Sequence, residues 1–131
     1  MILTLDSSIL IDLEKGIQQT KEKIRKLAII HPDPAPISFM AYVELYTGML
    51  EKKPKKFEKA SMFLQQFPFL PLTKRTAEIM ATFKKKYDER GISLSLADVL
   101  IASQVKEHNL LLVTKDKDFG KVEEINKIII S

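Results

Sequence analysis

The sequence predicts an α/β fold, with a doubly wound parallel sheet flanked by helices on both faces. Short apolar runs typical of buried strands occur near both ends of the chain, and most segments between them have the periodicity of amphipathic helices. Strands that alternate with helices indicate βαβ units, whose helices cover both faces of the sheet. The 131 residues contain no internal repeat and no linker, so we expect one domain over residues 1–131.

The composition is that of an ordinary globular protein and excludes several classes. Hydrophobic residues make up 45% of the chain and charged residues 29%. No apolar run approaches the roughly 20 residues of a membrane span, and the N-terminus lacks the features of a signal peptide, so we expect a cytoplasmic protein without a membrane association. The absence of cysteine excludes disulfides and thiolate metal sites, and the two scattered histidines argue against a histidine-rich site.

The net charge of +4 is concentrated in two lysine-rich runs. The first is KKPKKFEK, at 52–59, and the second is KKK, at 84–86. Each run is consistent with a solvated helix face, and each is also consistent with a surface that binds phosphates. Charge alone leaves both interpretations open.

The N-terminal segment predicts one strand and two helices. MILTLD is a short apolar run that predicts a buried strand ending at Asp6. SSILIDLEKG predicts a short helix with Gly16 as its C-cap. QQTKEKIRKLAII has apolar residues on one side and lysines on the other, which is typical of an amphipathic helix.

A proline-rich break separates these helices from a second predicted strand. HPDPAP cannot continue a helix, because its three prolines remove amide donors and restrict the residues before them. ISF, at 37–39, then predicts a strand, and MAYVELYTGML predicts a helix that carries Glu44.

Two further helices surround a short extended segment. KPKKFEKASMFLQQF has an apolar stripe at helical spacing, which we expect in the core. FPFLPLT is extended, and its prolines suit a sheet edge better than a centre. TKRTAEIMATFKKKYDERG is the clearest helix, with Thr73 or Thr76 as its cap. The stripe of the first helix consists of Phe57, Ala60, Phe63, Leu64 and Phe67, and the inward residues of the second are Ile79, Met80, Phe83 and Tyr87.

The C-terminal third predicts a helix and two strands. SLSLADVLIAS begins a helix that runs on to His108. NLLLVT predicts a buried strand, KDKDFGKV the loop after it, and KIII a last strand.

One carboxylate, Asp98, lies inside the otherwise apolar SLSLADVLIAS segment. An unpaired buried carboxylate costs several kcal/mol, so Asp98 needs a partner. An alternative is a capping role with Ser95, because an acidic residue is favoured near a helix N-terminus. The residues that share its face at helical spacing are Leu94, Ile101, Ala102 and Val105.

Four acidic residues are predicted to meet where the parallel strands end. Asp6 ends the first strand and Asp116 follows NLLLVT, so both open on the same edge of the sheet. Glu44 and Asp98 join them if their helices begin at that edge. Four carboxylates at one edge would repel one another strongly, and Mg²⁺ or Mn²⁺, which takes oxygen ligands, would remove that repulsion.

Each acidic residue also has a simpler explanation. Asp6 could cap the helix that follows, and Glu44 could face solvent. Asp116 and Asp118 could be turn residues in TKDKDFG. Taken together, these explanations require independent coincidences, whereas one metal site accounts for all the positions.

Five motifs, in this order, resemble the PIN-domain family, and in particular the VapC-type toxins of prokaryotic toxin–antitoxin pairs. The resemblance covers nearly the whole chain and implies a PIN-like fold. It also implies a metal-dependent endoribonuclease that cleaves RNA phosphodiesters with one or two Mg²⁺ or Mn²⁺ ions. The matching stretches are LDSSILIDL, ISFMAYVELYTGM, LPLTKRTAEIMA, LSLADVLIAS and LLVTKDKDFGKV.

The resemblance also implies residue roles. Thr114 is the hydroxyl residue before the last acid, and Ser7 is a second supporting residue. Asp118 occupies an often acidic position, so it competes with Asp116 for the place of the fourth acid. Ser8 departs from the pattern, because family members commonly carry Asn there. The catalytic and metal-binding set maps onto Asp6, Glu44, Asp98 and Asp116.

Partners follow from the resemblance as well. VapC-type proteins pair with a VapB-like antitoxin, which inserts a peptide near the acidic cleft, and they commonly form homodimers. Phe39, Met40 and Tyr46 are candidates for an interface, although core packing is the simpler role for them.

Three alternatives to a toxin remain. A PIN-domain nuclease could process RNA without being a toxin, and a PIN-like module could bind RNA or protein without catalysis. The presence of all four acids argues against the latter. A signalling receiver domain is also doubly wound, but it requires an acceptor aspartate directly after a central strand, and FPFLPLT supplies none.

Overall fold

The computed structural model describes residues 1–131 and has a parallel sheet of three strands. The strands are β1 (Ile2–Leu5), β2 (Leu110–Thr114) and β3 (Asn126–Ile129), and they lie in the order β1-β2-β3. In the register, Ile2 is opposite Leu110, and Leu111 is opposite Asn126. The strands predicted at both ends of the chain are therefore confirmed.

Six α-helices surround this sheet, and a short 3₁₀ helix, Lys117–Lys121, lies within the segment predicted as a loop after β2. None of the helices is both long enough and apolar enough to span a bilayer. The α-helices are α1 (Ser7–Lys15), α2 (Gln18–Ile30), α3 (Phe39–Met49), α4 (Pro54–Leu64), α5 (Lys74–Glu89) and α6 (Leu96–Glu107).

The two faces of the sheet are covered by different helices. Because successive strand residues point to opposite faces, Leu111 and Val113 of β2 pack in one core, and Leu110 and Leu112 pack in the other. The first core contains buried residues of α1, α3 and α4, and the second contains buried residues of α5, α6 and the 3₁₀ helix. The predicted doubly wound arrangement is thus confirmed.

The helix boundaries follow from local chemistry. Gly16 ends α1 with φ 73°, a left-handed conformation that glycine adopts without a steric penalty. Thr73, one of the two predicted caps, begins α5: its hydroxyl accepts a hydrogen bond from the Thr76 amide at 3.2 Å. Ser95 begins α6 in the same way, with the Asp98 amide as donor at 3.1 Å.

The predicted core stripes are buried to different extents. On α4, Ala60 and Leu64 are buried, and Phe57 and Phe63 are partly buried against the first core. Phe67, the last residue of the predicted stripe, lies beyond the end of α4 and is also partly buried. On α5, the inward residues Ile79, Phe83 and Tyr87 are buried, and Met80 is partly buried.

The predicted strand at 37–39 is wrong. Only Ile37 pairs, in a single parallel bridge with Phe69. Its amide donates to the Pro68 carbonyl at 2.8 Å, and its carbonyl accepts from the Leu70 amide at 3.0 Å. The pairing cannot extend, because Pro36 has no amide and Ser38 caps α3, which begins at the next residue.

Candidate active site

The carboxyl ends of β1 and β2 open on a cleft of about 320 Å³. All four predicted acidic residues line it, although they come from four separate segments of the chain. The predicted supporting residue Ser7 lines it too, and so does Ser8. The complete lining consists of Asp6, Ser7, Ser8, Glu44, Ala97, Asp98, Ile101, Lys115 and Asp116.

Asp6 is buried at the end of β1, where it also caps α1. One carboxylate oxygen accepts the Ser7 amide at 2.9 Å, and the other accepts the Thr114 hydroxyl at 2.6 Å. Burial raises the pKa of Asp6, the two hydrogen bonds oppose that rise, and the charge of Asp116 adds to it, so that the pKa lies above its ordinary value. Asp6 is therefore a helix cap and a cleft residue at once.

Thr114 connects two of the acidic residues. Its buried hydroxyl donates to Asp6 and accepts a hydrogen bond from the Asp116 amide at 3.0 Å. Because both bonds are internal to the fold, they fix the Asp6 carboxylate relative to the backbone of Asp116. This is the contact expected of a supporting hydroxyl.

Glu44 lies in the second turn of α3 and is exposed, yet it lines the cleft. The pKa of Glu44 is raised, first by loss of solvent around its carboxyl group and then by the charge of Asp6. The Ser7 side chain acts in the opposite direction, and Asp98 adds a further repulsion. Glu44 thus faces solvent, as the simpler explanation expected, and also belongs to the acidic cleft.

Asp98 lies in the first turn of α6 and is half-buried. Burial is the largest cause of its raised pKa, and the charge of Asp116 is the second. Ile101, Ala102 and Val105 of its face are buried as expected, whereas Leu94 precedes α6 and is partly buried. The cap of α6 is the Ser95 side chain, so the Asp98 carboxylate is not required for capping.

Asp98, Asp116 and Asp118 bring one carboxylate oxygen each within 4.8 Å of one another. Asp116 caps the 3₁₀ helix by accepting the Asp118 amide at 2.9 Å, and Asp118 itself is exposed. Mg²⁺ binds oxygens at about 2.1 Å in an octahedron, which requires ligand oxygens roughly 3–4 Å apart. The donor chemistry and spacing of this cluster fit a hard divalent cation after small side-chain adjustments.

The cleft also contains one basic residue that the sequence did not assign to the acidic site. Lys115 lines it, and the Lys115 ammonium forms an ion pair with Asp12 of α1. The other contact of Asp12 is a hydrogen bond from the Thr20 hydroxyl at 2.6 Å. The available signal was the position of Lys115 between Thr114 and Asp116, directly after a strand whose end was expected to open on the site.

A protein-family model described as PIN domain matches residues 3–125 of this chain. The match includes every acidic residue of the cleft. It confirms the family resemblance, and it leaves the receiver-domain alternative without support. A comparison with curated proteins finds no significant match.

Solved structures of three bacterial proteins have the same fold. A chain in the structure of VapBC2 from Rickettsia felis, bound to a DNA fragment from the promoter, is 21% identical, with a TM-score of 0.85 and 100% of both chains covered. A chain in the structure of VapBC-1 from nontypeable Haemophilus influenzae is 20% identical, with a TM-score of 0.84 and 98% of both chains covered. A chain in the structure of FitAcB from Neisseria gonorrhoeae is 24% identical, with a TM-score of 0.78, and the match covers 98% of this chain and 96% of the other. At these identities the comparisons establish a shared fold.

Proposed function

Because this chain belongs to the PIN domain family, we propose that it is a divalent-metal-dependent endoribonuclease and the toxin of a VapBC-type toxin–antitoxin pair. The observation that carries the proposal is the convergence of four carboxylates on one cleft. The pKa values of Asp6, Glu44 and Asp98 are all raised, by burial and by mutual repulsion. A bound dication relieves that repulsion, which the protein's own side chains leave in place.

Asp6, Asp98 and Asp116 hold the metal, with Asp118 as an additional ligand from the same cluster. When bound, the ion supplies a Lewis acid that lowers the pKa of water and neutralises charge developing on the phosphate. Thr114 keeps the Asp6 carboxylate in position through its hydrogen bond, as residues behind a metal ligand commonly do.

Glu44 completes the ligand set or orients the attacking water. Its carboxylate can accept a hydrogen bond or a proton from water, because it lines the cleft beside the three aspartates. It reaches the cleft from α3, whereas the three aspartates come from other segments of the chain.

The two lysine-rich runs differ in how many of their lysines form ion pairs. This difference helps to decide which run is a solvated helix face and which is a surface that binds phosphates. Every lysine of KKK is in an ion pair: Lys84 with Asp88, Lys85 with Glu89 and Lys86 with Glu124. In the run at 52–59, only Lys52 is paired, with Glu14. The unpaired, exposed lysines of that run are therefore the better candidates for sequence-independent contacts to the RNA backbone. They are Lys53, Lys55, Lys56 and Lys59.

A VapB-like antitoxin is the proposed protein partner. This is supported by the likeness to chains in VapBC complexes over nearly their whole length. A groove of about 230 Å³ between α1 and α3 shares Glu44 with the acidic cleft and offers Ile11, Leu45 and Met49 as apolar lining for a peptide. A homodimer and a cytoplasmic location belong to the same proposal. Of the candidate interface residues, Tyr46 is exposed, and Phe39 and Met40 are half-buried.

Removal of divalent ions tests the enzymatic part of the proposal. The purified protein is expected to cleave RNA oligonucleotides in millimolar Mg²⁺ or Mn²⁺, to lose that activity in excess EDTA, and to regain it when the metal is restored, because the carboxylates alone cannot activate water. Gel analysis of end-labelled RNA measures the cleavage. Activity that persists in EDTA would contradict the metal mechanism, and a metal-replete protein that binds RNA without cutting it would be a non-catalytic module.

Induced expression in bacteria tests the toxin role separately. Wild-type protein is expected to arrest growth within a few generations, whereas the Asp6→Asn variant, expressed to the same level, is expected to be tolerated. Growth curves and immunoblots provide the measurement. Normal growth of cells that contain active wild-type enzyme would instead indicate an RNA-processing nuclease.

A further inference from the structure

Lys115 is the only basic residue among the nine that line the acidic cleft. Its single ion pair is with Asp12, which does not line the cleft, rather than with any of the four cleft carboxylates. The lysine is therefore not used to neutralise the acidic cluster, although it follows Thr114 and precedes Asp116 in the chain. This arrangement raises the question of what the lysine does there.

Lys115 is held in place by residues of two helices, α1 and α2. Asp12 lies on α1, one helical turn after the cleft residue Ser8, so the ammonium is held beside the cleft on the α1 side. Asp12 is itself held by the Thr20 hydroxyl of α2. At the other end, the Lys115 amide donates to the Ser8 hydroxyl at 3.4 Å.

The ammonium retains the capacity to bind a ligand. A lysine ammonium has three N–H donors, and the ion pair with Asp12 uses one. The Lys115 side chain is 36% exposed, whereas that of Asp12 is 15% exposed. Of the two partners, the lysine is thus the more accessible to a ligand, and the aspartate that holds it is the more buried.

We infer that Lys115 binds a phosphate of the RNA adjacent to the scissile one, and that Asp12 and Thr20 are positioning residues that hold the lysine for this contact. This inference rests on the proposed function, because it assigns a substrate contact to the same cleft. A cleft of carboxylates repels a polyanion on both sides of the metal, and a fixed cation at the wall offsets that repulsion where the strand enters or leaves. The contact is to the backbone and carries no sequence preference.

The salt dependence of cleavage tests the contact. For a single-stranded RNA, one lost phosphate contact reduces the slope of log(kcat/KM) against log[salt] by about 0.7. Lys115→Gln is expected to show this smaller slope and a fall of about tenfold in kcat/KM, whereas Lys115→Arg is expected to keep the wild-type slope. Asp12→Asn leaves the lysine charge in place and is expected to keep the slope while lowering kcat/KM by a few-fold, because the ammonium is no longer held.

The matched control is Lys85→Gln, which removes the same charge from an exposed lysine of α5. It is expected to behave as wild type. An equal change of slope in Lys115→Gln and Lys85→Gln would reduce the effect to net charge and overturn the inference. A wild-type slope in Lys115→Gln, with metal-dependent cleavage intact, would overturn it as well and leave the proposed function standing. A wild-type protein that neither binds nor cleaves RNA would reject both.

Discussion

Asp98→Asn is expected to lower the rate of RNA cleavage by more than about 100-fold, because even residues that only support a metal ligand cost about 10–100-fold when they are replaced. The substitution keeps the size of the side chain and removes its charge. It leaves the cap of α6 intact, since the Ser95 side chain forms that cap. Single-turnover cleavage of end-labelled RNA in Mg²⁺ measures the rate directly.

The matched control for this experiment is Asp88→Asn. Asp88 is an exposed residue of α5 that pairs with Lys84 at 3.2 Å, on a part of the surface that does not line the cleft. It is expected to cleave at the wild-type rate. Cleavage by Asp98→Asn at the rate of Asp88→Asn would refute the assignment of Asp98 as a metal ligand.

Asp6→Asn is expected to be as inactive as Asp98→Asn, with an added loss of stability. The fold is weakened because asparagine cannot accept both the Ser7 and the Thr114 hydrogen bonds with the same geometry.

The sheet was predictable from sequence where hydrophobic runs are continuous. NLLLVT is buried at every position of β2, which is the pattern of a central parallel strand. The segment at 37–39 has similar composition but forms one bridge, because the cap at Ser38 begins a helix before pairing can extend. A capping serine and a strand serine are identical in the sequence, so this boundary depends on tertiary contacts that the local sequence does not specify.

The acidic cleft was predictable because its geometry follows from topology. Asp6 and Asp116 both follow parallel strands, and the carboxyl ends of such strands share an edge. The pair of Lys115 with Asp12 was not predictable in this way. Its formation depends on the packing of α1 against the end of β2, and single-sequence periodicity does not specify which residues of two elements touch.

The relation of Asp116 to Asp118 also depended on the structure. The sequence places both in one turn and leaves open which of them is the fourth acid. In the fold, Asp116 lines the cleft. Asp118 is not among the lining residues, but one of its carboxylate oxygens lies within 4.8 Å of oxygens of Asp98 and Asp116. The 3₁₀ helix explains this, because it brings two residues of the same turn toward Asp98 with different exposure.

Asp98→Asn is also expected to change the stability of the fold, in opposite directions without and with metal. The variant is expected to be more stable than wild type without metal and less stable than wild type with metal. The pKa of Asp98 is raised in the fold, so its ionised form is less favourable in the folded than in the unfolded state at neutral pH. Without metal, the neutral asparagine is therefore expected to melt at a higher temperature than wild type. This penalty on wild type grows as pH rises from the ordinary pKa of 3.8 through the raised value, and it is absent at lower pH, where both states carry the proton.

Metal is expected to invert that order. At a concentration of Mg²⁺ or Mn²⁺ about 100 times its dissociation constant, binding stabilises the wild-type fold by about 2.7 kcal/mol, whereas a variant that has lost a ligand gains little. Differential scanning fluorimetry with EDTA and with a metal titration measures both halves, with Asp88→Asn as the variant that should follow wild type throughout. Equal metal-induced shifts in wild type and Asp98→Asn would place the ion elsewhere. A metal-free Asp98→Asn less stable than wild type would mean that the carboxylate already has a favourable partner within the fold, and the electrostatic case for a dication at this cleft would fail.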